Sequence, residues 1–372
     1  MQQLNRRSWL RGFATLGAGT LVVSPTEILK ALPSESQHLA FEGEVRLSSN
    51  ENPYSPSAKM QEAINKIGPE LCRYPNRHFA TLEKMIAERE GVDAENVVVT
   101  SGSREGLNVT GLLYGMNGGE ILTCMPTYKA LLTYAERFGS YINIAPLDAD
   151  LGMDLDALDR RIHSNTRLVF VCNPNNPTGT LLDRDRLKTF CRQASKRTMV
   201  FVDEAYFDYI DEENYPSMSS LVKEGHNIIV SRTFSKVYGL AGVRVGFLIA
   251  RSDIATRLRQ RLMSGTNIMG VRLAIAGMED QEFYRFCLQK NREAREIIYA
   301  AIDEVNLPYK RSHTNFVFFH TGRDIRGVIG EFREKGVLVG RPFPPFSDWC
   351  RISTGKIEEV QTFASALKQV FT

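Results

Sequence analysis

The sequence lacks the patterns by which metal-binding and disulfide-stabilised proteins are usually recognised. Its six cysteines are widely spread, and no two of them form a CxxC pair: Cys72, Cys124, Cys172, Cys191, Cys287 and Cys350. The six histidines are equally scattered. This distribution predicts neither a zinc site nor a disulfide framework, and we expect no metal ion.

A strong excess of one charge is also missing. The 46 basic residues are nearly balanced by 43 acidic ones, which leaves a formal charge of +3. Beyond the N-terminus no dense basic run with interleaved aromatic residues occurs, so we expect no nucleic-acid partner. A chain of 372 residues is long enough for one large and one small domain.

An apolar run near the N-terminus is too short to span a membrane. It covers residues 12–23 and follows the paired arginines Arg6 and Arg7. This order of features resembles a twin-arginine export signal. We therefore predict that residues 1–30 are such a signal, that the twin-arginine translocase exports the protein, and that it is periplasmic or otherwise exported. The alternative is a basic amphipathic helix of a cytoplasmic protein.

Short apolar runs alternate with helical periodicity through the middle of the chain. The first is Val97–Thr100, and the others cover residues 121–123, 141–144, 168–172, 199–202 and 228–230. Such alternation predicts an α/β fold with a mostly parallel sheet covered by helices. After residue 251 long charged helical stretches predict a smaller α+β domain.

Polar side chains follow several of these apolar runs at the point where each run ends. A Gly-Ser turn at residues 101–105 opens a helix whose free backbone N–H groups could hold a phosphate. Asn176 lies in a proline-rich loop after the fourth run, and Asp203 follows the fifth directly. Ligands of open parallel sheets bind beyond the carboxyl ends of the strands, so we expect these residues at one site. Each of them alone is also compatible with an ordinary turn.

The last apolar run leads into residues 231–247, SRTFSKVYGLAGVRVGF. A single Lys236 among hydroxyl groups, with Arg244 beyond it, suits a lysine that forms a Schiff base beside a bound phosphate. The arginine offers a planar fork for phosphate oxygens. Asp203 should be partly buried and needs a partner, which a pyridinium N–H would provide. The alternative for residues 231–247 is an amphipathic surface turn with ordinary charges.

In this order the motifs resemble those of the fold-type I pyridoxal-phosphate aminotransferases of class I/II, within them the histidinol-phosphate aminotransferase-like group. The resemblance covers residues 47–355 and rests on SSNENPY, RYPN, TSGSREG, PTY, NPNNPTG, DEAY, RTFSK with GLAGVRVGF, and CRISTG. It implies a large domain with a mostly parallel sheet and a smaller α+β domain built from the N- and C-terminal segments. The predicted boundaries are 31–75 for the linker and N-terminal part of the small domain, 76–265 for the large cofactor-binding domain and 266–372 for the C-terminal small domain.

The resemblance implies pyridoxal 5′-phosphate as cofactor and gives roles to matching residues. Lys236 would bind the cofactor covalently and act as the general base, and Asp203 would pair with the pyridine nitrogen. Asn176 and Tyr206 would bond the ring 3-oxygen, and Tyr128 would stack on the ring face.

The remaining matching residues would bind phosphate or substrate. The cofactor phosphate would be held by Ser103 and Arg104 through their backbone, and by Thr233, Ser235 and Arg244. Tyr74 would reach the phosphate of the neighbouring subunit's cofactor, which implies a homodimer with shared active sites. Arg351, with Asn50 near it, would bind the anionic group of the substrate.

The implied reaction is a ping-pong transfer of an amino group between small molecules. The donor would be an amino acid or amino alcohol phosphate with an aromatic or imidazole side chain, and the acceptor a 2-oxo acid such as 2-oxoglutarate. A decarboxylase, lyase or racemase of the same fold is an alternative, and a non-catalytic pyridoxal-phosphate-binding protein is another. Residues 340–346, GRPFPPF, allow two interpretations. They could favour an apolar substrate side chain or form a rigid loop packed on the small domain.

Overall fold

The computed structural model describes residues 43–372, so the predicted export signal at residues 1–30 lies outside the described residues. The described part begins with the short strand β1 (Val45–Arg46) and the helices α1 (Ala58–Lys66) and α2 (Asn76–Glu90). Across residues 43–372 no helix combines the length and the apolar character that crossing a membrane requires.

A seven-stranded sheet occupies the centre of the larger hydrophobic core. Its strands are β2 (Val97–Thr100), β3 (Glu120–Cys124), β4 (Tyr141–Ala145), β5 (Thr166–Cys172), β6 (Met199–Asp203), β7 (Ile228–Thr233) and β8 (Gly246–Ala250). Their order across the sheet is β2-β8-β7-β6-β5-β3-β4. β8 runs antiparallel to both of its neighbours, whereas the other adjacent pairs are parallel. The predicted mostly parallel sheet is therefore confirmed, with β8 as an additional strand that the apolar runs did not predict.

Helices connect and cover these strands. They are α3 (Ser103–Gly115), α4 (Ala130–Arg137), α5 (Leu155–Arg161), α6 (Arg184–Ala194), α7 (Ser219–Lys223), α8 (Ser252–Arg259) and α9 (Ile268–Glu279). The residues of β2, β3 and β5 to β8 are almost all buried, as expected for strands covered on both faces.

A second, smaller core is built from the last part of the chain. Its elements are α10 (Gln281–Glu304), β9 (Tyr309–Lys310), β10 (Phe316–His320), α11 (Ile325–Glu334), β11 (Val337–Leu338), β12 (Trp349–Ser353) and α12 (Ile357–Phe371). β10 pairs antiparallel with β9 and β12, and β1 adds in parallel to β11. Leu47 packs into this core, so segments from both ends of the described chain build it.

The predicted domain boundaries stay a prediction, because the two cores do not by themselves define where one domain ends. Side chains of α9, including Val271 and Ala274, belong to the larger core although they follow residue 266. The long helix α10 contributes Cys287 to the larger core and Ile298 to the smaller one.

Candidate active site

The carboxyl ends of β5, β6 and β7 open into one cavity of about 550 Å³, which is also lined by residues that follow β2 and β3. Parallel pairing places Cys172 beside Asp203, and Asp203 beside Ser231, so the residues that follow these strands are neighbours. Every predicted site residue except Tyr74 lines the cavity: Asn50, Ser103, Arg104, Tyr128, Asn176, Asp203, Tyr206, Thr233, Ser235, Lys236, Arg244 and Arg351.

Lys236 lies beyond β7 with its amine inside the cavity. Its Nζ donates a hydrogen bond of 2.6 Å to the backbone oxygen of Asn50 and lies 5.2 Å from the centre of the Tyr206 ring. Burial, with a contribution from the positive charge of Arg351, lowers the pKa of Lys236 to about 8. At neutral pH a much larger fraction of Lys236 therefore carries a neutral, nucleophilic amine than of an ordinary lysine.

Asp203 ends β6 and is only 2% exposed. Its Oδ1 accepts a hydrogen bond of 3.3 Å from the backbone N–H of Ala205. Burial raises the pKa of the carboxyl to about 7. A buried carboxylate of this kind gains from a cationic N–H donor placed beside it in the cavity, because that donor offsets the cost of burying the charge.

A hydrogen-bond network links the two cores across the cavity. The hydroxyl of Tyr206 accepts from Asn50 Nδ2 at 2.8 Å and from Asn176 Nδ2 at 3.4 Å. Ser353 donates to Asn50 Oδ1 at 2.7 Å, and Arg351 Nη1 donates to Asn176 Oδ1 at 2.8 Å. The network therefore fixes residues from the N-terminal segment, the larger core and β12 relative to one another.

Arg351 provides a buried cation on the β12 side of the cavity. Its Nη2 donates to the backbone oxygen of Ser48 at 3.1 Å, and its guanidinium lies 4.8 Å from the ring centre of Phe343. Burial lowers its pKa to about 10. The residue lines the cavity, where a guanidinium can bind an anion, and its buried Nε has no hydrogen-bond partner among the described residues.

A cradle for a phosphate lies at the start of α3. Gly102 precedes this helix with φ +78°, and no side chain caps the helix N-terminus. A Cβ at Gly102 would lie 2.2 Å from Nη2 of Arg244, so only glycine lets the guanidinium approach so closely. Arg244 Nη1 also donates to Ser235 Oγ at 3.4 Å. Free N–H groups at a helix N-terminus beside a guanidinium fit a phosphate dianion.

Arg104 contributes more to the cavity than its backbone. Its Nε donates to the hydroxyl of Tyr128 at 3.4 Å, although the family resemblance implied only a backbone role for this residue. Tyr74, in contrast, is 92% exposed and lies outside the cavity of its own chain. Its predicted role at a partner's site stays a prediction.

Sequence reasoning missed two charged residues that line the cavity, Arg341 and Glu51. Glu51 forms an ion pair with Arg46 at 2.6 Å, and the guanidinium of Arg341 lies 4.4 Å from the ring centre of Phe343. Both lie within segments that the sequence singled out, residues 340–346 and the motif SSNENPY, but neither charge was assigned.

Residues 340–346 support the guanidinium of Arg351 and do not line the cavity with apolar groups. Phe343 is buried, with its ring centre 6.1 Å from that of Phe318, and Phe346 packs on the same ring. Of this segment Arg341 alone contacts the cavity. The structure therefore favours the interpretation as a rigid loop packed on the smaller core.

Comparison with known proteins identifies the family. Residues 42–367 match the model for aminotransferase class I and II. The chain belongs to this family. Histidinol-phosphate aminotransferase 1 of Bacillus anthracis is 33% identical over 329 residues, which are 88% of either chain. The predicted enzyme class is confirmed by these matches.

Solved structures of this aminotransferase family have the same fold. A putative histidinol-phosphate aminotransferase from Erwinia carotovora atroseptica is 29% identical, with a TM-score of 0.84 over 88% of this chain and 96% of that one. Histidinol-phosphate aminotransferase from Sinorhizobium meliloti, in complex with pyridoxal-5′-phosphate, is 26% identical, with a TM-score of 0.82 over 88% and 90%. The predicted fold class is confirmed.

Proposed function

We propose that this aminotransferase uses pyridoxal phosphate to transfer the amino group of an anionic amine to a 2-oxo acid. The observation that carries the proposal is the convergence of Lys236, Asp203 and Arg244 in one cavity, with Arg351 on its β12 side. The Sinorhizobium meliloti structure holds pyridoxal phosphate, the cofactor that the sequence predicts.

The residues of the cavity fit this cofactor at each of its polar groups. Arg244, Ser235, Thr233 and the N-terminus of α3 at Ser103 and Arg104 would hold its phosphate. Asp203 would pair with the pyridine nitrogen, because its buried carboxylate gains from a cationic N–H. Asn176 and Tyr206 would donate to the ring 3-oxygen, and Tyr128 would cover a ring face. When bound, pyridoxal phosphate supplies an electron sink that stabilises the carbanion left when the substrate loses its Cα proton.

The chain's own residues then bind the substrate and move the proton. Lys236 takes the Cα proton and returns it as a general base and acid, for which a pKa near the working pH is favourable. Arg351 binds the substrate anion from its position in the cavity lining, and its bonds to Asn176 and to the backbone oxygen of Ser48 hold its guanidinium in place. The network around Tyr206 holds the two cores together while the substrate is bound.

Two arginines of the cavity favour a substrate with a strongly anionic group. Arg351 and Arg341 can bind a carboxylate or a phosphate, so an amino acid and an amino alcohol phosphate both fit. Relatives named histidinol-phosphate aminotransferase make histidinol phosphate the first donor to test. We propose 2-oxoglutarate as the acceptor, and an aromatic or imidazole side chain on the donor.

A half-reaction screen tests this proposal. The purified protein is loaded with pyridoxal phosphate and mixed with single donors: histidinol phosphate, phenylalanine, tyrosine and arginine. The expected result is conversion of the cofactor's visible absorption to that of the pyridoxamine form, reversed by 2-oxoglutarate. Lys236→Ala should lower the rate about 10²- to 10⁴-fold, the usual contribution of a general base. Lys84→Ala, which changes an exposed lysine, is the matched control.

Two outcomes would contradict the proposal. A wild-type protein that binds no pyridoxal phosphate would refute the cofactor. Release of CO₂ from the donor, without formation of the pyridoxamine form, would indicate a decarboxylase.

We further propose a homodimer and export by the twin-arginine translocase. The support for the dimer is the exposed Tyr74 in the motif RYPN, and that for export is the arginine pair at residues 6 and 7. Replacing both arginines by lysine should keep the protein in the cytoplasm, measured by cell fractionation. Unchanged fractionation would contradict the export signal and favour a cytoplasmic protein.

A further inference from the structure

A cluster of buried charges lies directly behind the candidate active site. Arg232 Nε lies 2.9 Å from Glu204 Oε2, and Arg232 Nη2 lies 3.3 Å from Glu90 Oε2. The side chains of all three residues are at most 6% exposed. We call Glu90, Glu204 and Arg232 the buried ion cluster; none of them lines the cavity.

The buried ion cluster and the cavity share the same two strand ends. Asp203 and Thr233 line the cavity, and Glu204 and Arg232 are their neighbours in sequence. Successive side chains of an extended chain point to opposite sides, so one residue of each neighbouring pair faces the cofactor site and the other faces the cluster. The backbone N–H of Glu204 donates to the oxygen of Ser231 at 2.9 Å, which joins the two strand ends.

Further contacts fasten both partners of the central ion pair. Glu204 accepts from the backbone N–H of Met218 at 2.8 Å and from the hydroxyl of Ser217 at 2.7 Å. The guanidinium of Arg232 lies 3.8 Å from the ring centre of Phe207, in the turn that follows β6. A shift at either strand end would therefore break several directional contacts at once.

Stability alone does not account for these charges. Removing charged groups from water costs free energy that a buried ion pair only partly regains, and apolar side chains would often stabilise the same position as well. Glu90 is also the last residue of α2, where the helix dipole disfavours a carboxylate. What such a cluster provides, and apolar packing does not, is fixed orientation.

We propose that the buried ion cluster positions Asp203 and Thr233 toward the cofactor by fixing the ends of β6 and β7. This inference rests on the proposed use of pyridoxal phosphate. Glu90, Glu204 and Arg232 are positioning residues, because they act through their neighbours and touch neither cofactor nor substrate. Loosening the cluster should weaken cofactor binding at temperatures at which the protein remains folded.

Glu204→Gln provides the main test. The amide oxygen can still accept from the backbone N–H of Met218, and the amide nitrogen can donate to the Ser217 hydroxyl, but the charge that holds Arg232 is lost. The matched control is Glu120→Gln, which changes a 5% exposed carboxylate at the start of β3, at the amino ends of the parallel strands and away from the cavity. Glu120 likewise accepts hydrogen bonds, from Thr166 at 2.8 Å and from Asn143 at 2.9 Å. The Kd for pyridoxal phosphate is measured by visible absorption, and the Tm of each cofactor-free variant by calorimetry.

The expected result separates positioning from stability. Glu204→Gln should raise the Kd about tenfold or more, whereas Glu120→Gln should lower Tm similarly and leave the Kd unchanged. Arg232→Met should raise the Kd further, and Arg232→Lys should restore part of the affinity because it keeps the charge. If Arg232→Met does not fold, the Kd values of Glu204→Gln and Arg232→Lys test the inference.

Two results would overturn the inference. A folded Glu204→Gln variant with the wild-type Kd would make the cluster purely structural. A wild-type protein without affinity for pyridoxal phosphate would remove the proposed function first and this inference with it.

Discussion

Asp203 and Lys236 line one cavity, and burial shifts the pKa of each in the direction that favours the neutral side chain. The pKa of Asp203 rises to about 7 and that of Lys236 falls to about 8. Burial penalises the charged form of an acid and of a base alike, so both groups titrate close to neutral pH in the cofactor-free protein. A cofactor with a cationic ring nitrogen would restore the ionised form of Asp203.

The first prediction concerns the pH dependence that Asp203 causes. Its pKa is about 7 in the folded chain and about 3.9 in an unfolded one, so the folded state holds the proton more tightly. The stabilisation is full below about pH 4 and is lost as the pH rises toward 7, by about 1.4 kcal/mol for each pH unit. Asp203→Asn should remove this contribution, seen as the wild-type minus variant difference in the free energy of unfolding of the cofactor-free protein.

Asp150→Asn, which changes a carboxylate that is 93% exposed, is the control for this measurement. Pyridoxal phosphate should also flatten the wild-type curve by pairing with Asp203. A difference curve between wild type and Asp203→Asn that is flat from pH 5 to pH 7 would refute the assigned pKa.

At the scale of elements, the site depends on the turn between β2 and α3. Gly102 holds a positive φ there, and Arg244, also at positive φ (+56°), reaches across to it. Left-handed backbone at a non-glycine residue costs free energy, and such strain persists where the surrounding structure holds it. The two residues together place a guanidinium at the N-terminus of α3.

The second prediction is that Gly102→Ala weakens cofactor binding. A Cβ would displace the guanidinium of Arg244, so the Kd for pyridoxal phosphate should rise about 10- to 100-fold, which corresponds to one charge-assisted hydrogen bond. Gly139→Ala is the matched control: its φ is +95°, but no atom lies within 4 Å of the added Cβ. Both variants should lose roughly 1–3 kcal/mol of stability through backbone strain.

Equal cofactor affinity of the two glycine variants would contradict this role of Gly102. Titration with pyridoxal phosphate, followed by visible absorption, measures both constants. The decrease in Tm of each variant measures the backbone strain, and a similar decrease in both is expected.

Apolar runs predicted the strands whose ends build the site, but not β8. β8 follows the glycine-rich segment after Lys236 and pairs antiparallel with both β2 and β7. An alternation of strands and helices predicts parallel neighbours and so does not indicate such a strand. The buried ion cluster could not be predicted from the sequence either, because Arg232 and Glu90 lie 142 residues apart and belong to no common periodic pattern. Local sequence thus predicts elements and strand-end chemistry, whereas pairings between distant charges arise only from the folded packing.

At the scale of the whole molecule, the site is complete only where the two cores meet. Arg351 lies in β12 of the smaller core, yet its contacts are Asn176 of the larger core and Ser48 near the start of the described chain. The motif CRISTG predicted that Arg351 binds substrate. The sequence did not predict that the Phe343 ring packs against the Arg351 guanidinium. That stacking depends on how residues 340–346 fold back on β10, which composition alone does not determine.

The third prediction concerns the proposed homodimer and Tyr74. Tyr74 is 92% exposed and outside its own cavity, so a role at the cofactor requires a second subunit. Tyr74→Ala should therefore weaken pyridoxal phosphate binding without destabilising the monomer fold. Co-expression of Tyr74→Ala with Lys236→Ala, each with a different affinity tag, allows the mixed dimer to be purified through both tags.

If each subunit lends Tyr74 to its partner, the mixed dimer carries one complete site. The Tyr74→Ala subunit keeps Lys236 and receives an intact tyrosine from the Lys236→Ala subunit, so activity should recover to about half of the wild-type value per dimer. If Tyr74 acted within its own chain, every site of the mixed dimer would lack either the tyrosine or the lysine. Activity no higher than that of the Tyr74→Ala homodimer would therefore exclude a shared site, and a monomeric wild-type protein in light scattering would exclude the dimer itself.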